Sequence, residues 1–190
     1  MVALRQYECV SQDGTVLAAK DVDGLIVAWV PTAGADEDNT ANLVDVEGLG
    51  NGVLSWPRRI VSTLVDANAS ITQAKVYISG TVLGGAVVSE TLTHVAAGEL
   101  ETSHAYETVT SYITHVDGVV TAVVDTLELG WGDAMALPTR DVGTVAEIRV
   151  KRADATIDSG TVTLSPYWTW EPTGGNVPDA ALRFYVEIYE

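Results

Sequence analysis

Apolar and polar residues alternate along Ile71 to Ser79. Ala74, Val76 and Ile78 fall on one side, and Gln73, Lys75, Tyr77 and Ser79 on the other. A strand sends successive side chains to opposite faces, whereas a helix needs a period near 3.6. The two-residue rhythm recurs through the chain, and helical periodicity is nearly absent, so the sequence is constrained to sheet. Gly, Asp and Asn punctuate it where turns are needed. Gly84-Gly85 closes a hairpin whose return strand is Ala86 to Thr93. Two adjacent glycines permit the positive φ of a tight turn. Asp23-Gly24 reads as a turn dividing Gly14 to Pro31 into two strands. Asp117-Gly118 reads as another, between Tyr106–Val116 and Val119–Leu127.

Further strands are expected at Ile60 to Val65, on either side of Ala153-Asp154, and in the closing segment ALRFYVEIYE. The one helical candidate, Asp133 to Leu137, is too short to organise anything. The expected fold is all-β with about ten strands. It is an antiparallel β-sandwich or barrel, or two small β units in series, with almost no helix. Residues 1–52 supply N-terminal strands and a long acidic connection or arm. Residues 53–130 form the sandwich core. Residues 131–190 complete the sheet or form a second small unit. The connection from Thr32 to Asn51 is polar and dotted with glycine, and is longer than a compact domain normally tolerates without a role. An arm laid on a neighbouring molecule is one such role.

A chain of 190 residues buries roughly 70% of its unfolded surface, enough for a core without covalent staples. Hydrophobic residues make up 47%, which excludes a disordered chain. No apolar run approaches the about 20 residues of a membrane-spanning helix. The opening MVALRQYECV lacks the apolar core of a signal peptide. A single cysteine, Cys9, excludes an internal disulfide and a cysteine-based zinc site, and reads as a half-buried strand residue.

Charge narrows the partners. Lys plus Arg total 10 and Asp plus Glu total 26, for a net charge of −16; only Lys20, Lys75 and Lys151 are lysines. Such a chain repels nucleic-acid phosphate, and no basic stripe offsets this. An acidic, lysine-poor surface around an ordinary apolar core suits molar salt, where screening shortens to ~3 Å at 1 M and self-repulsion is suppressed.

Constellations for chemistry are sparse. His94, His104 and His115 stand apart, with no His-Glu-x-x-His spacing. There is no Gly-x-Ser-x-Gly elbow, and Cys9 has no nucleophile context. GLGNG at 48–52 lacks the Lys-Ser/Thr ending of a phosphate loop. Asp36, Asp38 and Glu47 are candidate oxygen ligands, but the twelve-residue calcium pattern is missing, and a solvated acidic loop is the simpler reading. No enzyme activity, cofactor or metal centre is expected. SPYWTWEP brings together Tyr167, Trp168 and Trp170, and on a strand Trp168 points opposite to its two immediate neighbours. These aromatics suit core packing, a protein interface or sugar stacking.

The order of several short motifs resembles a β-rich type of virion structural protein found in tailed viruses. The motifs are Asp-x-Asp-Gly at Asp21 to Gly24, Pro57-Arg58-Arg59 leading a strand, and Gly80-Thr81 to Gly85 in a hairpin. Ser89-Glu90-Thr91 and Tyr106 to Thr110 follow. The resemblance covers Asp21 to Gly130. With the acidic composition, it implies a virion protein of a haloarchaeal tailed virus. The implied role is non-enzymatic and self-assembling: a capsid-associated decoration or turret protein, made in the host cytoplasm and located on the virion. The alternatives are a tail or head–tail connector component, or a β-sandwich that binds host-surface glycans. The implied partners are other copies of the chain, as a trimer or pentamer, with the major capsid protein or other virion proteins. Nucleic acid and membrane are not among them. Arg58, Arg59, Trp168 and Trp170 are the candidate interface residues. The two arginines would grip carboxylates of an acidic loop, in the same chain or a neighbour, since guanidinium matches carboxylate geometry.

Overall fold

The two-residue alternation is realised as strand almost throughout. The computed structural model describes residues 2–9, 20–45, 48–121, 124–137, 144–152, 157–158, 160–163, 167, 169–172 and 182–189, with the backbone alone for 2–9, 144–152, 157–158 and 182–189. In chain order the strands are β1 (Val2–Cys9), β2 (Asp21–Trp29), β3 (Asp36–Asp38), β4 (Val53–Asp66), β5 (Ile71–Val82), β6 (Val87–His94) and β7 (Gly98–Gly118). They continue with β8 (Asp125–Ala136), β9 (Thr144–Arg152), β10 (Ile157–Asp158), β11 (Gly160–Thr163), β12 (Thr169–Pro172) and β13 (Leu182–Tyr189). The described helical structure is one 3-10 turn, Thr40–Asn42. The fold is all-β, and every ladder between these strands is antiparallel.

Nine strands form one sheet with the order β11-β12-β8-β4-β7-β5-β6, to which β2 adds beside β8 and β3 beside β7. The other four form a sheet of order β1-β13-β9-β10. Its register runs from Val2 opposite Tyr189 to Cys9 opposite Leu182. Strands before residue 52 and after 131 thus contribute to both sheets, and β8 runs across position 130.

The nine-stranded sheet folds over its own core. One buried cluster joins Leu25 and Ile26 of β2, Ile60 of β4, Val76 and Ile78 of β5, Leu92 of β6, Tyr106 and Tyr112 of β7, and Leu129 and Trp131 of β8. β2 and β6 lie at opposite flanks of the strand order, so they share a core only because the sheet doubles back. Trp29 of β2 meets Tyr112 of β7 edge-on, with ring centroids 5.5 Å apart. Ser62 on β4 and His94 on β6 are fully or nearly fully buried and lie 3.0 Å apart, Oγ to Nε2. Two strands separate them along the sheet, so this hydrogen bond crosses the core.

β7 makes the doubling possible. Its 21 residues carry two successive ladders: Gly98 to Thr108 with β4, and Tyr106 to Gly118 with β5. At the changeover β4 slips. Val53 faces Thr108 and Arg58 faces Tyr106, which leaves Leu54 to Pro57 opposite Glu107 alone. Pro57 has no N–H to offer a ladder, which suits it to such a bulge.

Several expectations are corrected. Asp23-Gly24 is not a turn: β2 continues through it, with an irregular register against β8 between Asp21 and Ile26. Gly24 is needed for room, since a Cβ there would lie 2.3 Å from the Trp131 ring. Asp117-Gly118 ends β7 but makes no hairpin, because β8 pairs with β4 instead. A polar knot redirects the chain. Val119 N–H donates to the Ser70 carbonyl (3.0 Å), and Thr121 N–H to the buried Asp125 carboxylate (2.6 Å). Asp133 to Ala136 belongs to β8 and is not helical. Gly84 and Gly85 do close the β5–β6 hairpin, with φ of 91° and 79°.

The acidic connection lies along its own chain. β3 pairs with β7, Asn39 N–H donates to the Tyr112 carbonyl (2.9 Å), and Leu43 is buried in the core cluster.

Gly80 is the tightest point of the changeover: a Cβ there would sit 2.0 Å from the Thr108 carbonyl oxygen and 2.9 Å from the Tyr106 ring. Gly80→Ala is expected to cost about 1–3 kcal/mol through overpacking, read as a lower urea midpoint. An unchanged midpoint would show that the β5–β7 approach is not tight.

Candidate functional site

Arg58 and Arg59 are neighbours on a strand, yet both find acids on the same chain, because the bulge and register slips of β4 uncouple them from strict alternation. Arg58 is 3% exposed, and its Nη2 lies 3.5 Å from Asp133 Oδ1 on β8. Arg59 Nη1 lies 3.4 Å from Glu171 Oε2 on β12, and its Nη2 donates to Thr169 Oγ1 at 3.1 Å. The carboxylates are on strands and not on the acidic connection. The Arg59 contact with Glu171 is single-pronged, its other terminal nitrogen being given to Thr169.

These pairs belong to a larger cluster. The Lys20 ammonium contacts Glu99 on β7, and its backbone N–H donates to Asp133 Oδ1 at 3.2 Å. The Lys20 pKa is raised, chiefly by the hydrogen bond to Glu99. Glu101, between these groups, has its carboxyl pushed up by burial first; Lys20 and Arg59 pull it down, while Glu171 and Asp133 push it up. Gly132 leaves room for it: a Cβ there would meet Glu101 Oε1 at 2.4 Å. Three cations and four carboxylates from β4, β7, β8, β12 and the residue before β2 therefore offset most of one another's charge. Chemically this is a clasp that fixes the strand order.

Trp170 on β12 is 2% exposed, pairs in register with Met135, and lies over Gly160, where a Cβ would be 2.1 Å from the indole nitrogen. Trp170 is therefore a packing residue of its own chain. Trp168 lies outside the described residues. Tyr167 meets His104 edge-on at 5.1 Å.

The histidines, read as isolated in the sequence, each have a partner. His104 Nδ1 is 2.9 Å from Glu90 Oε1, and the same carboxylate accepts the backbone N–H groups of Ser103 (2.7 Å) and His104 (2.9 Å). Glu90 thus bridges β6 to the first half of β7, where no ladder joins them. His115 sits between Asp36 (2.6 Å) and Asp117 (3.3 Å), and the Asp36 bond holds its imidazole pKa above the ordinary value. Asp38 accepts the Thr40 N–H at 3.0 Å, and Glu47 lies outside the described residues. Among the described residues no three His, Cys, Asp or Glu side chains converge as a metal site requires, and no helix is long and apolar enough to cross a membrane.

The motif residues come together. Arg58 faces Tyr106, Gly80 faces Val109, and Thr81 faces Thr108. Ser89 faces Ser79, with their hydroxyls 2.8 Å apart. Tyr106 is fully buried, and its hydroxyl pKa is driven up by burial and then by the Glu90 carboxylate. Asp21 to Gly24 lies elsewhere, on β2 against Gly130 and Trp131. Comparison of the chain with family models, with curated proteins and with solved structures finds no match.

Two outcomes are expected. Arg58→Ala should cost about 2–3 kcal/mol, because it strips a buried group from a partly exposed acid, and Arg59→Ala under about 1 kcal/mol; equal losses in urea titrations would refute the asymmetry. The second concerns His94, whose pKa burial lowers from 6.5 to about 4. The unfolded imidazole takes its proton first as pH falls, so stability should drop between pH 6.5 and 4, by about 3 kcal/mol in full. His94→Gln, which keeps a partner for Ser62, should flatten that part of the stability–pH curve. An unchanged slope would mean the core tolerates the charge.

Proposed function

We propose that the chain is a non-enzymatic, self-assembling structural protein of a tailed-virus particle, associated with the capsid surface as a decoration or turret protein and suited to high salt. The supporting observation is the convergence of the resembling motifs. Pro57-Arg58-Arg59, Gly80-Thr81, Ser89-Glu90-Thr91 and Tyr106 to Thr110 meet at the β7 changeover. Scattered hairpin chemistry has no reason to collect there. Residues that together specify a joint between two layers do.

The physics of the role agrees. A particle component needs a rigid block, which doubled antiparallel sheet provides. It also needs a surface for copies of itself. The β5–β6 hairpin and the β6–β7 turn present Val87 and Val95, at 75% and 74% exposure, beside the terminal strand β6 of the sheet order. Open strand edges are natural pairing sites, which closed symmetric assembly covers. The net charge of −16 opposes such contacts in dilute buffer.

The test is light-scattering mass after size exclusion in about 3 M KCl, where screening falls below ~3 Å, and again in dilute buffer. A closed trimer or pentamer that persists only in salt is the expected result. A monomer in both would overturn self-assembly.

A further inference from the structure

The β4 bulge opens a groove of about 250 Å³ between the start of β4, the middle of β7 and the β5–β6 turn. Trp56, Pro57 and Leu83 are among its apolar walls, and Ser55, Glu107 and Thr108 bring polar groups to it. The Trp56 indole N–H donates to the Ala136 carbonyl at 3.1 Å. That bond holds the ring in place and leaves its carbon surface as what it has to offer. Glu107 differs from the acids of the charge clasp: it makes no ion pair or hydrogen bond with a described residue, and neither do the Ser55 and Thr108 side-chain hydroxyls.

We propose that this groove binds a single pyranose ring, neutral or amino-substituted. A pyranose has an apolar C–H face and a rim of hydroxyls. An indole wall answers the first, and a carboxylate with two free acceptor oxygens answers adjacent hydroxyls on the second. Ser55 and Thr108 add donors and acceptors at the same rim. The volume lies below the roughly 300–1,000 Å³ of drug-sized sites, which suits one ring. An uncompensated Glu107 on a chain of net charge −16 rejects uronic and sialic acids. The proposal is independent of the assembly role.

Saturation-transfer NMR on the full chain tests it, with the methyl glycosides of glucose, galactose and mannose, and with glucosamine, as probes. Transfer to the ring protons of at least one probe is expected, with a shift of the Trp56 indole signal. Glu107→Gln, at a half-buried position outside the core, should weaken that binding about tenfold, the loss of one charge-assisted hydrogen bond. Trp56→Phe keeps an aromatic wall while removing the bond to Ala136, and should retain weaker binding. Absence of transfer to every probe from folded protein would overturn the proposal, as would binding undiminished in Glu107→Gln. Glu107-dependent binding of tetramethylammonium, tighter than that of any sugar, would overturn it in favour of a cation site.

Discussion

A long strand that gives its two halves to different partners can join two layers, and β7 is that strand. Its first half belongs to β4 and its second to β5. Strand twist accumulates over so long a run and rotates the second ladder away from the plane of the first. The doubled sheet and its shared core follow. So does the β4 bulge, where one partner lets go as the other takes hold. The contact that makes this tolerable is close backbone passage at Gly80, which leaves Tyr106 room to fill the joint. Ser62 and His94 then tie the two layers from inside. An apolar pair there would pack as well, but only a hydrogen bond selects one register of β6 against β4.

The charge distribution has a second logic. On a chain with so few cations, Lys20, Arg58 and Arg59 are committed to carboxylates of their own fold. Other described acids, among them Asp23, Asp38 and Asp45, face solvent. Salt acts differently on the two populations. Exposed carboxylates lose their mutual repulsion as screening shortens, whereas the Arg58 pair, buried on one side, is screened far less. Rising salt therefore relieves the surface while largely sparing the Arg58 pair.

Sheet was legible because alternation needs no tertiary information. Ala74, Val76 and Ile78 declare their face in the sequence, and the glycine pair at 84–85 declares its turn. What stayed hidden depended on partners distant in sequence. Gly24 looks like half of a turn until Trp131 is placed against it. Asp117-Gly118 has hairpin chemistry, but the Ser70 and Asp125 contacts that carry the chain past it come from other strands. Asp133 to Ala136 is strand because β4 and β12 pair with its Met135–Ala136 end, a fact no local window contains. The same limit applied to the sites. Arg58 and Arg59 stood out as a rare positive pair, but Asp133 and Glu171 carry no mark of partnership, and His94 shows no sign of Ser62. Glu107 and Trp56 were unremarkable residues until a register slip put them in one groove.

The pairing of β1 with β13 has a consequence for how the protein is made. Every ladder of the nine-stranded sheet can close once β12 has been synthesised. β1, the first strand described, finds its partner only in the last one. Closing a loop that spans nearly the whole chain is entropically the most demanding step and is favoured only after the intervening sheet has compacted it. Until then β1 carries an unmatched edge, open to pairing with the wrong strand.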